Sequence, residues 1–230
     1  MDQIIGFLQH LMDADWILKN GGLYLVAFII FAETGLFIGF FLPGDSLLFI
    51  SGIIVANAKM NNPISQGPID LMFWIVLIAI CGIIGNAVGY WFGKKSGPLL
   101  YQRKDSLLFK RKYLMQAHEF YEKRGGGAII LARFLPVVRT FAPIVAGLVK
   151  MNYKKFFFYN VVGSITWVSS MMIAGYALGE NEWVKEHLEY IIIGLVLVTT
   201  APVLIKMITG KKKEYSKEEI DAYFDTLAKD

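Results

Sequence analysis

The sequence has little of what a soluble or secreted protein of its size needs. Only 18% of its 230 residues are charged and 55% are hydrophobic, which is too apolar for a soluble domain of this length. Because Cys81 is its single cysteine, the chain can form no intrachain disulfide, and this cysteine lies in an apolar run. No Lys or Arg precedes Lys19, so the basic start of a cleavable signal peptide is missing. These features predict a membrane protein that keeps its apolar segments.

The sequence also lacks the patterns of common catalytic and binding sites. We find no catalytic triad, nucleotide-binding loop or metal-ligand cluster, and the histidines at 10, 118 and 187 are too dispersed to share a metal. The net charge of +4 is concentrated in residues 94–124 and near the C-terminus, which is typical of membrane topology rather than nucleic-acid binding. We therefore expect no enzymatic activity, no cofactor, no metal and no nucleic-acid partner.

The first apolar region, residues 22–58, contains stretches of 21 and 13 residues separated by Pro43-Gly44-Asp45. About 20 apolar residues are needed to cross a bilayer, so the second stretch is too short. The flanks, residues 1–21 and 59–70, carry one lysine each, whereas cytoplasmic loops are rich in Lys and Arg. We predict an externally opening re-entrant hairpin after an interfacial amphipathic helix over 1–21. One crossing followed by a short stub is the alternative.

A second hairpin is predicted over residues 125–149, which contain Pro136 and Pro143 and have basic residues on both sides. The preceding segment 94–124 holds nine Lys or Arg against three acidic residues, so we expect a cytoplasmic amphipathic loop there. The same reasoning makes residues 211–230 a cytoplasmic tail. Transmembrane spans are predicted over residues 71–93, 156–178 and 190–207.

The two halves share a short motif. Gly89 to Gly93 and Gly175 to Gly179 both read GYxxG, and each motif ends the span that follows a broken hairpin. Because the second hairpin starts from the opposite side, we predict inverted repeats, as in many transporters. The fold class is therefore an all-α polytopic membrane protein with two oppositely oriented re-entrant hairpins and about three transmembrane helices. The alternative is that Gly-Tyr pairs merely suit helix packing.

Four ionisable residues fall inside the predicted hairpins, Glu33 and Asp45 in the first and Arg133 and Arg139 in the second. Each charge costs roughly 2.5 to 3.5 kcal/mol at the bilayer centre, so four would cost on the order of 10 kcal/mol unless paired or hydrated. We expect facing hairpin tips to bring the four charges together with zero net charge. A purely structural ion-pair lock remains an alternative, although buried ion pairs often add little stability.

The residue types suggest a role for each charge. Arg133 and Arg139 suit a phosphate head group because a guanidinium presents a rigid fork and stays protonated. Glu33 and Asp45 would hold the arginines in the empty state and release them on protonation, which burial favours. Transport would thereby be coupled to protons. Candidate supporting residues are Ser46, Asn86, Tyr90, Thr140 and Tyr176, of which Asn86 is equally suited to an ordinary interhelical hydrogen bond.

The motifs resemble those of a known family. The segments are ETGLFIGFFLPGD at 33–45 and ARFLPVVRTFAPIVAG at 132–147, with glycines at 82, 85, 89 and 93 between them. Over about residues 20–180 the chain resembles the DedA family of bacterial membrane proteins, part of the VTT (SNARE-associated) superfamily. The resemblance implies two re-entrant hairpins, dependence on the proton motive force, and essential roles for the four charged residues. It also implies a phosphate-like head group, because similar members are implicated in undecaprenyl phosphate recycling and eukaryotic relatives act as phospholipid scramblases.

We therefore expect residues 22–210 to form a proton-coupled lipid translocase in the bacterial cytoplasmic (inner) membrane. Its expected substrate is undecaprenyl phosphate or a related anionic lipid, returned to the inner leaflet for carrier recycling in cell-envelope synthesis. Three alternatives stay open: a scramblase of glycerophospholipids such as phosphatidylethanolamine, a proton-coupled exporter of small solutes or cations, and an assembly factor. The expected partners are membrane lipids and protons, and a homo-oligomer is compatible with the sequence.

Overall fold

The computed structural model describes residues 21–35, 44–61, 68–101 and 127–179, together with isolated positions between 16 and 219. All regular structure in these segments is helical, which confirms the predicted all-α class for this part of the chain. The helices are α1 (Gly22–Gly35), α2 (Gly44–Asn61), α3 (Pro68–Tyr101), α4 (Gly127–Arg133), α5 (Pro136–Leu148) and α6 (Tyr153–Leu178). The predicted interfacial helix, last span and C-terminal tail lie outside the described residues except for isolated positions.

Two of the described helices are long and apolar enough to cross a membrane. Helix α3 has 34 residues and α6 has 26, which at 1.5 Å per residue gives lengths of about 51 and 39 Å for a hydrocarbon core of about 30 Å. Helices α1, α2, α4 and α5 have 14, 18, 7 and 13 residues. Because these four are shorter than a typical span, they suit hairpin arms, while their return to the same membrane side stays a prediction.

Polar and apolar residues are distributed as expected for a protein surrounded by lipid. The four predicted charged residues are all buried. Large apolar side chains are exposed along α1, α3 and α6, among them Tyr24, Phe28, Met72, Ile84, Phe158 and Ile173. Soluble proteins rarely expose so much contiguous apolar surface, so this exterior suits a hydrocarbon environment.

Helix α3 does not end where the predicted span 71–93 ends. It continues through Lys94 and Lys95 to Tyr101, so the first eight residues of the predicted cytoplasmic loop are helical. The Lys95 ammonium lies 4.9 Å from the centre of the Trp91 ring. A lysine can extend its charged end out of the apolar layer while the helical backbone continues, so charge indicates the membrane side of a segment and not the end of its helix.

The break in the second hairpin follows from Pro136. Leu135 is extended, with φ −113° and ψ 105°, because the residue before proline avoids the helical region. Pro136 then opens α5, at a position where its missing N–H costs no helical hydrogen bond. The Leu135 N–H donates to the Ala132 carbonyl over 3.1 Å. A two-residue turn, 134–135, therefore separates α4 from α5, as the sequence predicts for the second hairpin.

The GYxxG motifs lie where the long helix of one half crosses the hairpin of the other. A Cβ on Gly93 of α3 would lie 2.0 Å from the Ile144 carbonyl oxygen on α5, and one on Gly175 of α6 would lie 2.0 Å from the Phe49 carbonyl oxygen on α2. Only glycine permits such close backbone approach, as at other membrane helix crossings. The two halves thus use the same type of contact, while their inverted orientation stays a prediction.

Candidate functional site

Three of the four predicted charges form one buried ion-pair cluster. Arg139 of α5 donates through Nη1 to Asp45 Oδ1 over 2.5 Å and through Nη2 to Glu33 Oε1. Glu33 lies on α1 and Asp45 in the first turn of α2, where the helix dipole favours a negative charge. One guanidinium therefore connects α1 and α2, the arms of the first predicted hairpin, to α5 of the second. We call Glu33, Asp45 and Arg139 the acid–arginine cluster.

Helix α6 closes the acid–arginine cluster with Trp167. Its indole Nε1 donates to Asp45 Oδ1 over 2.8 Å, and the Arg139 guanidinium carbon lies 4.7 Å from the centre of a Trp167 ring. The contact combines a hydrogen bond to the acid with a cation–π interaction to the base. Trp167 has no exposed surface, so this contact lies inside the protein.

Gly44 packs directly against the Glu33 carboxylate. A Cβ at Gly44 would lie 1.8 Å from Glu33 Oε2, so only glycine leaves room for this position of the acid. Glu33 Oε2 is buried and accepts no hydrogen bond within the described part of the chain. The cluster therefore contains one carboxylate oxygen that is free to carry a proton.

Arg133 forms no ion pair with this cluster among the described residues, so the expected pairing of two acids with two bases is seen for Arg139 alone. Arg133 Nη2 donates to Asn160 Oδ1 on α6, and among the described residues no carboxylate pairs with it. The physical reason is that Arg139 already engages both acids through separate nitrogens. The cluster thus carries one positive and two negative formal charges, and Arg133 is a separate buried cation.

The surroundings of Arg133 are polar but incompletely hydrogen-bonded. Asn160 is oriented by Asn86, whose Nδ2 donates to Asn160 Oδ1 over 2.9 Å, and by the Ile83 carbonyl, which accepts from Asn160 Nδ2 over 3.1 Å. Arg133 Nε and Nη1 and the Ser164 hydroxyl are buried without hydrogen-bond partners in the described segments. Three groups able to donate hydrogen bonds are therefore available for an anion.

Gly82 of α3 adjoins two of these groups. A Cβ built on Gly82 would lie 3.6 Å from both Arg133 Nη1 and Ser164 Oγ. A Cβ built on Gly163 of α6 would likewise lie 3.5 Å from Arg133 Cγ, an ordinary van der Waals distance. Both long helices thus place a glycine next to the Arg133 side chain. We call Arg133, Asn160 and Ser164 the Arg133 site.

The predicted supporting residues fall into different places. Asn86 belongs to the Arg133 site through Asn160, in the ordinary interhelical hydrogen bond that was its alternative. Ser46 and Thr140 are buried beside Asp45 and Arg139 in the chain.

The two tyrosines have other neighbours. The Tyr90 hydroxyl donates to the Met151 carbonyl over 2.5 Å, and its ring stacks on Phe156. Tyr176 is partly buried against the apolar core. Tyr90 thus connects α3 to the segment between α5 and α6. Its observed contacts are with this segment and not with the four charged residues.

Three residues of the site, Asn160, Ser164 and Trp167, were missed by sequence reasoning. They follow one another at spacings of four and three residues, so they form a polar stripe on one face of α6. That spacing within a predicted span is the signal that could have identified them.

A second unused signal is Phe-Leu-Pro, which occurs at both 41–43 and 134–136. Within the described segments, no group of three or more His, Cys, Asp or Glu could hold a metal.

Comparison with known proteins identifies the family of this chain. The family described as VTT domain matches residues 42–177, more than half of the chain and a range that includes Asp45, Arg133 and Arg139. The chain belongs to the VTT domain family. Protein DedA of Escherichia coli (strain K12) is 43% identical over 190 residues, which are 82% of this chain and 84% of that protein. The family resemblance predicted from the motifs is thus confirmed.

Other relatives of this DedA-family chain are named as membrane proteins. An uncharacterized membrane protein of Mycobacterium leprae (strain TN) is 39% identical over 186 residues, 81% of this chain and 79% of the relative. Inner membrane protein YqjA of Escherichia coli (strain K12) is 33% identical over 162 residues, 70% of each chain. No solved structure matches the chain. With its apolar exterior, the chain is a membrane protein of the DedA family.

Proposed function

We propose that this protein is a proton-coupled translocase that carries an anionic phosphate lipid across the bacterial inner membrane. The observation that carries the proposal is the buried Arg133, which has two unpartnered nitrogens and no carboxylate partner in the described part of the chain. The preferred substrate is undecaprenyl phosphate, moved to the inner leaflet for reuse in cell-envelope synthesis. The acid–arginine cluster supplies the coupling to protons.

Arg133 suits the role of head-group ligand for an energetic reason. A buried charge left without its partner destabilises a protein by about 3 to 5 kcal/mol, and an ion-pair lock would avoid that cost by pairing. A phosphate bound to Nε and Nη1 would remove the cost, because a guanidinium binds phosphate through two parallel hydrogen bonds. The Ser164 hydroxyl offers a further donor. The Arg133 site is therefore complementary to an anion.

Arg139 takes a different role from the one the sequence predicted. Both of its terminal nitrogens bind carboxylates and only Nε lacks a partner among the described residues, so a phosphate can be held by two parallel hydrogen bonds to Arg139 only by displacing Asp45 or Glu33. A proton on Glu33 Oε2 would leave one arginine paired with one charged acid, and the cluster would become neutral. Proton uptake thus changes the charge of the cluster while Arg139 and Asp45 stay paired. This role makes Glu33 the first candidate for proton coupling and Asp45 the second.

The proton gradient provides enough energy for this transport. One charge moving through 100 mV supplies about 2.3 kcal/mol, and about 1.4 kcal/mol changes an equilibrium tenfold. Inward movement of one negative charge on the lipid phosphate costs the same amount, so one proton offsets one lipid charge and each further proton would bias the lipid distribution more than tenfold. The alternative of a cation exporter is weaker, because Arg139 already neutralises part of the acidic charge.

The test is to give Arg133 its own carboxylate by Asn160→Asp. If Arg133 binds phosphate, the introduced carboxylate will compete with the substrate, and we expect transport of labelled undecaprenyl phosphate in proteoliposomes to fall at least tenfold. The folded protein should keep its melting temperature, since a buried cation gains a partner. The matched control is Asn152→Asp at the N-terminus of the same helix, where Asn152 caps α6 and Asp caps equally well.

Three outcomes would count against the proposal. Normal transport by a well-folded Asn160→Asp variant would remove Arg133 as the head-group ligand. Faster transport of labelled phosphatidylethanolamine than of undecaprenyl phosphate by the wild-type protein would replace the substrate with a glycerophospholipid. A chain that moves neither lipid, with or without a pH gradient, would favour the structural lock.

A further inference from the structure

An apolar groove of about 550 Å³ runs along the outside of the molecule between α3 and α6. Its α3 wall includes Ile80, Ile84, Val88 and Trp91, which are spaced so that they form one stripe along the helix. Phe157 and Val161 form part of the opposite wall on α6. Several of these side chains are exposed, so the groove opens to the hydrocarbon that surrounds the protein.

The length of the groove matches one leaflet of a bilayer. Ile80 and Trp91 are eleven residues apart on a continuous helix, which corresponds to about 16 Å at 1.5 Å per residue. The hydrocarbon core is about 30 Å thick, so one leaflet occupies about half of it. The groove can therefore hold the hydrocarbon chain of a lipid that belongs to one leaflet.

The two ends of the groove differ in a way that gives it a direction. At one end, the Lys95 ammonium lies 4.9 Å from the centre of the Trp91 ring, and Lys154 precedes Phe157 by about one helical turn. Tryptophan and lysine at such a position are typical of the membrane–water interface. Both lysines are exposed, so this end presents positive charge to lipid head groups.

The other end of the groove adjoins the Arg133 site. Ile83 lines the groove with its side chain, while its backbone carbonyl accepts the hydrogen bond from Asn160. Asn160 in turn accepts from Arg133. A lipid chain lying in the groove would therefore be separated from the buried guanidinium by one layer of helix.

We propose that this groove binds an anionic phosphate lipid of one leaflet, with its hydrocarbon chain along α3 and its phosphate between Lys95 and Lys154. By the predicted topology this is the cytoplasmic leaflet. The groove is then the place where the substrate exchanges between the leaflet and the Arg133 site. This last step rests on the proposed function, whereas lipid binding in the groove is tested independently of transport.

The experiment uses Trp91 as the reporter in phosphatidylcholine nanodiscs. A small fraction of the lipid is replaced by phosphatidylglycerol or phosphatidylcholine with brominated chains, which quench tryptophan at contact. The signal of Trp91 is the difference between the wild-type protein and Trp91→Phe. Each lysine near the membrane surface favours binding of an anionic lipid over a neutral one. Two lysines together correspond to an enrichment of the anionic lipid on the order of 30-fold. Brominated phosphatidylglycerol should therefore quench Trp91 several-fold more than brominated phosphatidylcholine.

Two variants locate the effect. In the double variant Lys95→Gln, Lys154→Gln, the two brominated lipids should quench Trp91 equally. Ala87→Phe fills the groove and should reduce quenching by either lipid, whereas Met72→Phe, at an exposed position of α3 outside the groove, should not. Equal quenching by both lipids in the wild-type protein would show ordinary lipid contact and overturn the proposal. Quenching by neither lipid would show that the groove is covered, for example by a second copy of the chain, and would overturn it too.

The outcome is separable from that of the proposed function. If Asn160→Asp loses transport but keeps selective quenching of Trp91, both proposals stand. If the wild-type protein moves no phosphate lipid yet shows selective quenching, the groove is a lipid site and the proposed function is wrong. If transport depends on Arg133 but quenching is unselective, the lipid reaches Arg133 by another route and only the groove proposal is wrong.

Discussion

The contact between Gly44 and Glu33 gives the sharpest test of the acid–arginine cluster. A methyl group at Gly44 would lie 1.8 Å from Glu33 Oε2, and real Cβ atoms essentially never come within 3.0 Å of another heavy atom. In Gly44→Ala the carboxylate must therefore move by about 1.2 Å or more. The end of a glutamate side chain can move that far, but it then leaves its hydrogen bond with Arg139.

The expected cost follows from the geometry of the pair. Removing one partner of a buried ion pair costs about 3 to 5 kcal/mol. Because Asp45 still pairs with Arg139 in Gly44→Ala, we expect a smaller loss of about 2 kcal/mol. For a chain of this length, that loss corresponds to a melting temperature lower by about 4 to 8 °C. Transport should also lose its response to a pH gradient, as in Glu33→Ala.

A double-mutant cycle separates this explanation from a general backbone effect. In a Glu33→Ala background the added methyl group meets no carboxylate, so Gly44→Ala should then change stability by less than about 0.5 kcal/mol. Gly127→Ala is the matched control, because Gly127 also lies in the first turn of a hairpin helix and nothing lies within 4 Å of its Cβ position. Melting temperatures of the four cycle variants in detergent measure the coupling. An equal penalty for Gly44→Ala in both backgrounds would refute the reasoning.

Three further predictions concern coupling and topology. Arg139→Lys keeps the charge but cannot reach both carboxylates with a fork, so proteoliposome transport should fall at least tenfold, and full activity would exclude a need for the fork. Glu33→Gln imitates the protonated acid and, alone or with Asp45→Asn, should abolish the acceleration of lipid flux by an imposed pH gradient; a double variant that still accelerates would show that other groups carry the protons. In a cysteine-free chain, Glu182→Cys should react with an external reagent in intact cells and Lys112→Cys should not; the reverse labelling would overturn the topology.

The sequence predicts the break between α4 and α5 well because local chemistry determines it, whereas the predicted break at Pro43 lies outside the described residues. Pro136 forces Leu135 out of the helical region, and the α4–α5 turn lies where that rule places it. Membrane class and buried charges are also predictable, since a polytopic chain with few charges must hide those within its spans. The end of α3 was less predictable, because Lys94 and Lys95 mark the membrane boundary without interrupting the helix.

The pairing of the charges could not be derived from the sequence. Counting two acids and two bases predicts a neutral group of four, but the number of residues between them does not decide which pairs form. Arg139 pairs with both acids because its side chain extends from α5 to residues on both α1 and α2. This packing depends on contacts between residues far apart in the chain. The contributions of Asn160 and Trp167 were missed for the same reason, since α6 approaches the hairpins only in the folded protein.

Helix α6 connects the two parts of the site. Trp167 donates to Asp45 in the acid–arginine cluster, and Asn160 accepts from Arg133, with seven residues, or about 10 Å of helix, between them. The second hairpin provides another connection, because the Arg139 N–H donates to the Leu135 carbonyl over 2.9 Å and the Leu135 N–H donates to Ala132, next to Arg133.

A change of charge at Glu33 that shifts Asp45 or Arg139 therefore acts on α6, which contains Asn160 and Ser164, and on the α4–α5 turn, which follows Arg133 directly. Coupling between proton and anion needs no direct contact between them. It needs only that α6 and the α4–α5 turn have two arrangements, of which the protonated cluster favours the one that binds phosphate.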